Sequence, residues 1–270
     1  MQQICTEITF VEVGSALLGY SYLHGVEAVI SNIARTQMDA IGEAATSISD
    51  CLSQGGMLYL FGTGHSASVA VEPFHRAGGL VPVRPIVEQA MTLHGSPQKA
   101  TALERLAGYA DIILDDSGIR SGDSIIIISN SGINSVPIEM GLSARARGIT
   151  VIAITSVKHS EREESRHPSC KRLFEVADIV IDNCGEPGDA MLETCACNIK
   201  IGPTSTLAGI AIVNAMSVEV IGKLHEMGIE PPVMMSSNMA GGDDYGAKWE
   251  KAYLDPEVAR SLVNRRCPKR

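Results

Sequence analysis

The sequence predicts an α/β fold in which helices cover both faces of a mainly parallel sheet. Three observations carry this prediction. Strand-like and helical patterns alternate along the chain, which is typical of strand–helix–strand units. Aromatic residues make up only 4% of the chain and hydrophobic residues 45%, and small and branched aliphatic side chains suit strands buried on both faces. A chain of 270 residues can also bury one large core.

Each element follows from its local pattern. Residues 1–17 alternate weakly and predict an N-terminal extension, whereas helical spacing over 18–53 predicts a helical arm. Gly55-Gly56 ends that arm, and four consecutive isoleucines at 125–128 mark the clearest buried strand. Pro203 is suitably placed in the first turn of the last helix. The predicted strands are 57–61, 80–83, 124–129, 149–154 and 177–182, and the further helices are 66–76, 99–111 continuing toward 116, 135–147 and 203–225.

The domain organisation is expected to be simple. No internal repeat and no low-complexity linker interrupts the chain, so we expect one domain over residues 18–235. Residues 236–270 begin as a polar tail that contains Gly241-Gly242 and Asp243. Such a tail could fold over a site, and an unstructured terminus is the alternative.

Charge and hydropathy limit the classes of partner that the protein can bind. A net charge of −9 argues against nucleic acid, because that partner needs a basic face. A small phosphorylated ligand stays possible, since backbone N–H groups can hold it. No apolar run approaches the roughly 18 residues of a membrane span, and residues 1–7 carry no Lys or Arg, which a signal peptide would have. We therefore expect a cytoplasmic protein without a membrane partner.

The cysteines indicate a reducing compartment. Their number, seven, is odd, and their spacing is unlike that of a disulfide framework. Cys184, Cys195 and Cys197 are close in sequence but fit no established zinc spacing. Small buried thiols are the better interpretation, and no metal or other cofactor is expected.

The first loop, residues 62–66, follows a predicted strand and leads into a predicted helix. Its glycines let the backbone approach an anion, and Gly64, His65 and Ser66 are the candidate phosphate contacts. The same segment fits the dinucleotide fingerprint G-x-G-x-x-A. That alternative needs an acidic residue about twenty positions later, where the nearest carboxylate is Glu88. The pattern therefore favours a sugar phosphate over a nicotinamide cofactor.

The second loop, residues 129–134, distinguishes the two alternatives. It follows the strongest strand and packs Ser129, Asn130, Ser131 and Asn134 into six positions, a donor array suited to phosphate oxygens. Helix capping is the simpler alternative, but one residue would serve that purpose. A third segment of this kind, 202–206, offers Thr204 and Ser205 as further substrate contacts, although capping explains it more simply.

These loops resemble those of the sugar isomerase (SIS) domain family, in particular its single-domain proteins similar to phosphoheptose isomerases. The family binds phosphosugars through G-x-G-x-S and S-x-S-G-x-[ST] loops; residues 62–66 match the first and 129–134 the second, with Asn134 in place of the usual hydroxyl residue. The resemblance covers roughly residues 18–244. It implies an αβα sandwich with a five-stranded parallel sheet, and a homodimer or homotetramer with sites at subunit interfaces.

Aldose–ketose isomerisation needs a base and a second proton-transferring group. Glu72 is the candidate base, and His75 is expected on the same helical face at i+3. A solvated glutamate is the plainer interpretation of Glu72, and His65, Glu72 and His75 could alternatively hold a metal. Phosphoheptose isomerases place a catalytic glutamate on this helix, at another distance from the loop serine. They also carry a histidine midway along the last helix, which here holds Asn214 and Glu219 instead.

The sequence therefore predicts a phosphosugar isomerase that acts through an enediol. A phosphosugar lyase or deaminase on the same scaffold is one alternative, since the same glutamate could serve either reaction. A sugar-phosphate sensor without chemistry is the other. The irregular stretch 88–98, which contains His94, is expected as a surface loop or as a lid.

Overall fold

The computed structural model describes residues 17–194, 197–255 and 257–258, and it contains a five-stranded parallel sheet between two layers of helices. The strand order is β2-β1-β3-β4-β5. The predicted fold class, an αβα sandwich with an N-terminal helical arm, is thereby confirmed. The extension predicted at 1–17 lies outside the described residues except for Leu17. The strands are β1 (Leu58–Gly62), β2 (Val83–Ile86), β3 (Ser124–Ile128), β4 (Thr150–Thr155) and β5 (Ile179–Asp182).

The helices form two layers because each buries one apolar stripe against the sheet. The helices are α1 (Leu18–Thr36), α2 (Met38–Ser53), α3 (Ser66–Val71), α4 (Pro97–Glu104), α5 (Tyr109–Ser117), α6 (Ser135–Ala146), α7 (Val157–Arg162), α8 (Ser205–Glu226) and α9 (Gly242–Leu254). One core joins α1, α2, α3 and α8 to one face of the sheet. The other core joins α5 and α6 to the opposite face. Successive strand residues alternate between the cores, as Leu60 and Phe61 do in β1.

Several helix boundaries differ from those predicted. The arm at 18–53 is two helices that meet at Gln37, whose side-chain oxygen accepts from the Asp182 N–H at 3.0 Å. The helix predicted over 66–76 ends at Val71, because Pro73 has no N–H to continue the helical hydrogen bonds. The helix predicted from 99 toward 116 is also two helices, α4 and α5, and α5 is preceded by Gly108 at φ +82°.

Two strand predictions are corrected as well. The strand predicted at 80–83 runs from Val83 to Ile86, and Leu80 instead forms an antiparallel bridge with Val233. Pro203 does not begin the last helix; it ends β7 of a two-stranded antiparallel hairpin, β6 (Ala190–Thr194) and β7 (Cys197–Pro203), that the sequence did not predict. The alternating pattern of this hairpin is weak, because much of it faces solvent.

Two further segments bear on the predictions for the chain ends and the membrane. Trp249 of α9 is 2% exposed within the core that contains α5 and α6, so part of the segment 236–270 packs against the domain. Helix α8 is long and apolar enough to cross a membrane by length and composition alone, a test that core helices of soluble proteins also pass. Here α8 packs against α2 and α3, with Ala208, Ile212 and Val213 buried.

Candidate active site

The two Gly/Ser loops lie side by side at one edge of the sheet. β1 and β3 are paired in register, so that Gly62 at the start of the first loop lies opposite Ile128, which precedes the second loop. The chain continues from β1 to β2 on one side, whereas β3 lies on the other side of β1. The loops therefore flank a topological switch point, the place where α/β sheets bind ligands beyond the carboxyl ends of their strands.

The first loop is a tight turn into α3. A Cβ atom on Gly62 would lie 2.5 Å from the Ser66 carbonyl oxygen, so the close approach of these backbones requires glycine. Gly64 has φ +55° and donates its N–H to the Met91 carbonyl at 2.9 Å. The Thr63 hydroxyl donates to Glu104 at 2.8 Å. Within the described chain, the side chains of His65 and Ser66 make no hydrogen bond, so both are available at the turn.

The second loop is held by its own polar side chains. The Ser129 hydroxyl accepts from the Gly132 N–H at 3.2 Å, and the Asn130 side-chain oxygen accepts from Asn183 at 2.8 Å. The Asn134 side-chain oxygen accepts from Arg166 at 2.8 Å. Three of the four predicted phosphate contacts therefore use a side-chain oxygen to fix the loop itself. Among the described residues, the Ser131 hydroxyl and the side-chain NH₂ groups of Asn130 and Asn134 make no hydrogen bond, so these donors stay available to a ligand.

The third predicted segment already has an anion at its helix terminus. The carboxylate of Asp189 accepts from the N–H of Thr204 at 3.0 Å and from the N–H of Ser205 at 2.7 Å. Its second oxygen accepts from the Ser205 hydroxyl at 2.7 Å. A carboxylate at the N-terminus of α8 satisfies the free N–H groups there. Thr204 and Ser205 therefore contact Asp189. The start of α8 is capped by this carboxylate and not by the side chain of Thr204, which makes no cap hydrogen bond.

Glu72 lies at the C-terminal end of α3, with 21% of its side chain exposed. Its Oε1 atom is held twice, by an ion pair with Arg76 and by the amide of Asn214 on α8 at 3.3 Å. Among the described residues, nothing hydrogen-bonds its Oε2 atom. The carboxylate is thus fixed by one oxygen while the other stays open, which is a geometry suited to accepting a proton.

A cleft of about 810 Å³ runs from the first loop along α3. Its polar lining includes Glu72 and His94, and the His94 Nδ1 atom lies 3.3 Å from the Thr92 hydroxyl. His75 is not among the residues that line this cleft, and it is exposed with φ +47°. The expectation that Glu72 and His75 share a helix face is wrong, because the helix ends at Val71. The lining residues are Gly64, Ala67, Ser68, Val71, Glu72, Val87, Gln89, Thr92, Leu93, His94 and Gly95.

The metal alternatives find no support in the described residues, which contain no group of three His, Cys, Asp or Glu side chains able to hold an ion. Cys195 and the side chain of Cys197 lie outside what the structure describes. Cys184 is partly buried, and burial raises the pKa of its thiol, against a hydrogen bond with Thr36 that lowers it. A neutral thiol of this kind fits a structural role.

Several neighbours of the loops could not be found from the motifs. Asn183 and Arg166 reach the second loop from 53 and 32 positions away, and Asp189 lies 15 positions before Thr204. His94 comes from the irregular stretch 88–98. The one signal for His94 in the sequence was its position in an irregular segment between two predicted elements. The contacts of Asn183, Arg166 and Asp189 depend on the strand order, which the motifs do not show.

Comparisons with known proteins identify the relatives of this chain. A family model described as a SIS domain matches residues 21–156. The UPF0309 protein of Geobacillus thermodenitrificans is 40% identical over 234 residues, which cover 87% of this chain and 94% of that protein. The UPF0309 protein of Shouchella clausii is 42% identical over 230 residues, which cover 83% of this chain and 94% of that protein.

Solved structures share the fold. A phosphoheptose isomerase from Neisseria gonorrhoeae superimposes with a TM-score of 0.52 at 18% identity, over 76% of this chain and 97% of that chain. A phosphoheptose isomerase from Francisella tularensis superimposes with a TM-score of 0.50 at 18% identity, over 75% of this chain and 96% of that chain. At such identities the similarity establishes the fold, and the reaction has to be argued from the site.

Proposed function

The chain belongs to the SIS domain family, together with the UPF0309 proteins, and from that membership we propose that it binds a phosphorylated sugar and interconverts its aldose and ketose forms. The two loops at the switch point support the binding of the phosphate. The observation that carries the reaction is the carboxylate of Glu72, which is held through Oε1 and open at Oε2, in a cleft that begins at the first loop. The proposal requires no cofactor.

The phosphate group would lie between the two loops. A phosphate monoester presents several acceptor oxygens, and it needs donors that converge from more than one side. The first loop offers His65, Ser66 and backbone N–H groups next to Gly64, and the second offers Ser131 and the Asn130 NH₂ group. Ser129 and Asn134 act in this proposal by fixing the shape of the second loop.

The sugar would extend along α3 toward Glu72. Glu72 lies six positions after Ser66, which corresponds to about 9 Å along a helix that rises 1.5 Å per residue. An extended chain advances about 1.1–1.2 Å per bond, so the roughly seven bonds from phosphorus to C1 of an open-chain hexose phosphate span about 8 Å. A phosphate held at the first loop would therefore place the reacting carbons beside Glu72.

The reaction moves one proton between neighbouring carbons. Glu72 removes the proton from the carbon next to the carbonyl group, and the electron pair of that C–H bond forms the enediolate. The same carboxyl group then returns a proton to the former carbonyl carbon, while a second group transfers a proton between the two oxygens. No oxidant or reductant is consumed, because the two carbons exchange oxidation states within one molecule.

We assign that second role to His94 in preference to His75. Both His94 and Glu72 line the cleft, and an imidazole can donate and accept at neutral pH. His75 is exposed and is not among the residues that line the cleft. Substitution of each histidine by glutamine compares the two assignments directly.

Proton exchange tests the proposal. The protein is incubated in deuterated water with a panel of pentose, hexose and heptose phosphates, and NMR follows deuterium incorporation at C1 and C2. We expect exchange in the wild type, its loss in Glu72→Gln and a strong reduction in His94→Gln. Glu226→Gln, at the exposed C-terminal end of α8, is the matched control and should exchange at the wild-type rate. Binding without exchange on any substrate of the panel would contradict the isomerase.

Other outcomes of this experiment would point to the other activities of the scaffold. Release of ammonia from an amino-sugar phosphate would indicate a deaminase, and cleavage of an ether substituent would indicate a lyase. Ligand-induced thermal stabilisation without turnover would indicate a sensor. A deaminase, a lyase and a sensor would all use the same phosphate site, and they would differ from the isomerase only in the role of Glu72.

We also propose that the protein is a cytoplasmic homodimer or homotetramer. Leu207 and Val218 on α8 are 44% and 66% exposed, and their separation of eleven residues places them on one side of that helix. An exposed apolar stripe of this kind is suited to a subunit interface. Light scattering coupled to gel filtration measures the mass, and a monomer at micromolar concentration would contradict this proposal.

A further inference from the structure

The segment 163–173 lies against the second loop and is fastened to it by backbone hydrogen bonds. The N–H of Arg166 donates to the Ile133 carbonyl at 2.8 Å, and the N–H of Leu173 donates to the Gly132 carbonyl at 2.8 Å. We call this segment the strap. Because both bonds go to the second loop, the strap and the loop are expected to keep a fixed relative position.

The strap is also fixed by its own side chains. The Ser165 hydroxyl donates to the Lys171 carbonyl at 2.6 Å, which closes the turn between them. Arg172 Nε donates to the Glu163 carbonyl at 3.1 Å. His167 Nε2 lies 3.4 Å from a Glu139 oxygen on α6, and their side chains are only 11% and 16% exposed. The backbone of the strap is therefore ordered, and it positions the side chains of the strap next to the second loop.

Arg166 is the side chain that the strap positions at the second loop. Its Nη1 donates to the Asn134 side-chain oxygen at 2.8 Å, at the residue that precedes α6. Asn134 makes no cap hydrogen bond with α6, because its oxygen is turned to Arg166. One of the five guanidinium N–H donors is used in this contact. In the described part of the chain, no carboxylate forms a salt bridge with Arg166.

The loops themselves lack a permanent positive charge. Neither the first nor the second loop contains Lys or Arg, and the first has the carboxylate of Glu104 beside Thr63. Among the hydrogen bonds of the described residues, Arg166 supplies the one guanidinium or ammonium group that reaches either loop. A phosphate dianion entering a protein of net charge −9 therefore meets its counter-charge here.

We infer that Arg166 binds the phosphate group of the ligand, with its free N–H donors directed to two phosphate oxygens and its position set by Asn134 and the strap. This inference rests on the proposed phosphosugar function and adds a residue outside both loop motifs. A planar guanidinium suits two-point contact with phosphate, which an ammonium cannot reproduce.

The test compares charge-matched variants by titration calorimetry. Wild type, Arg166→Ala and Arg162→Ala are titrated with fructose 6-phosphate, with inorganic phosphate and with unphosphorylated fructose. Arg162 lies on α7 and makes no hydrogen bond to either loop, so Arg162→Ala removes the same charge without removing a contact with the loops. We expect Arg166→Ala to lower the affinity for both phosphate-containing probes on the order of tenfold to a hundredfold. This is the effect of losing a hydrogen bond to a charged group. Arg162→Ala should stay within about twofold of wild type.

Two further measurements separate phosphate binding from a structural role. Affinity for unphosphorylated fructose should be the same in all three proteins, whereas a distorted cleft would lower it too. Arg166→Gln keeps a side-chain N–H donor but carries no charge. It should lose phosphate affinity in the same way, and it serves as the test variant if Arg166→Ala fails to fold. Equal phosphate affinity in Arg166→Gln and wild type would overturn the inference and leave the proposed function intact. A wild type that binds neither these two probes nor any sugar phosphate of the exchange panel would overturn the proposed function itself.

Discussion

Gly132 sits at the centre of the second loop, and its substitution tests whether that loop needs its observed conformation. Gly132 has φ +62°, and a Cβ atom there would lie 3.0 Å from the Thr155 hydroxyl, 3.1 Å from the Ser160 hydroxyl and 3.3 Å from the Leu173 Cβ atom. Gly132→Ala would therefore meet two separate penalties. The left-handed conformation costs a non-glycine residue about 1–2 kcal/mol. Overpacking in a closed environment costs about 1–3 kcal/mol more.

Gly118→Ala is the matched control. Gly118 has φ +72°, but a Cβ atom there would meet no atom within 4 Å, so only the conformational cost applies. Urea denaturation should show a loss of about 2–5 kcal/mol in the free energy of unfolding for Gly132→Ala and about 1–2 kcal/mol for Gly118→Ala. Phosphate affinity should fall in Gly132→Ala alone. Equal destabilisation by the two variants would refute the reasoning, because it would mean that the packing around Gly132 carries no cost.

The remaining predictions concern the surroundings of the site. Asp189→Ala should lower the free energy of unfolding by about 1–2 kcal/mol, because three donors at the start of α8 lose a charged acceptor; thermal denaturation measures it, and no change would contradict this capping role. Trp249→Ala should cost about 3–5 kcal/mol, since Trp249 is 2% exposed; a loss under about 1 kcal/mol in urea denaturation would show that α9 is not part of the core. A thiol reagent at pH 8 should modify exposed Cys170 before Cys184, because burial raises the pKa of Cys184 and less thiolate forms; mass mapping gives the order, and faster labelling of Cys184 would contradict it.

The sequence was a good guide where one local pattern determines an element. The isoleucines at 125–128 are buried on both faces of the sheet, and the Gly/Ser loops follow their strands at the predicted places. The division of the helical arm into two helices was harder to predict. Helical spacing continues through Gln37, whereas the contact of Gln37 with β5 comes from a distant part of the chain. The hairpin β6–β7 was missed because its residues alternate only weakly between buried and exposed positions.

The site was predictable in its loops and not in its partners. Glycines and hydroxyls identify a loop that can approach an anion, since that requirement is local. The second loop, however, takes its shape from Asn183 and Arg166, which arrive from other strand connections. The helix after the first loop ends at Val71, so His75 does not share a helix face with Glu72. His94, from the separate stretch 88–98, lines the cleft with Glu72. Such pairings depend on the order of strands in the sheet.

A crystal structure with a bound sugar phosphate tests the central claim most directly. With fructose 6-phosphate in the crystal, we predict that the phosphate lies between residues 62–66 and 129–134, within hydrogen-bond distance of Ser66 and Ser131. The sugar should extend along α3 and bring C1 or C2 to the open oxygen of Glu72. A phosphate bound elsewhere, for example beside Thr204 and Ser205 with Asp189 displaced, would contradict the account.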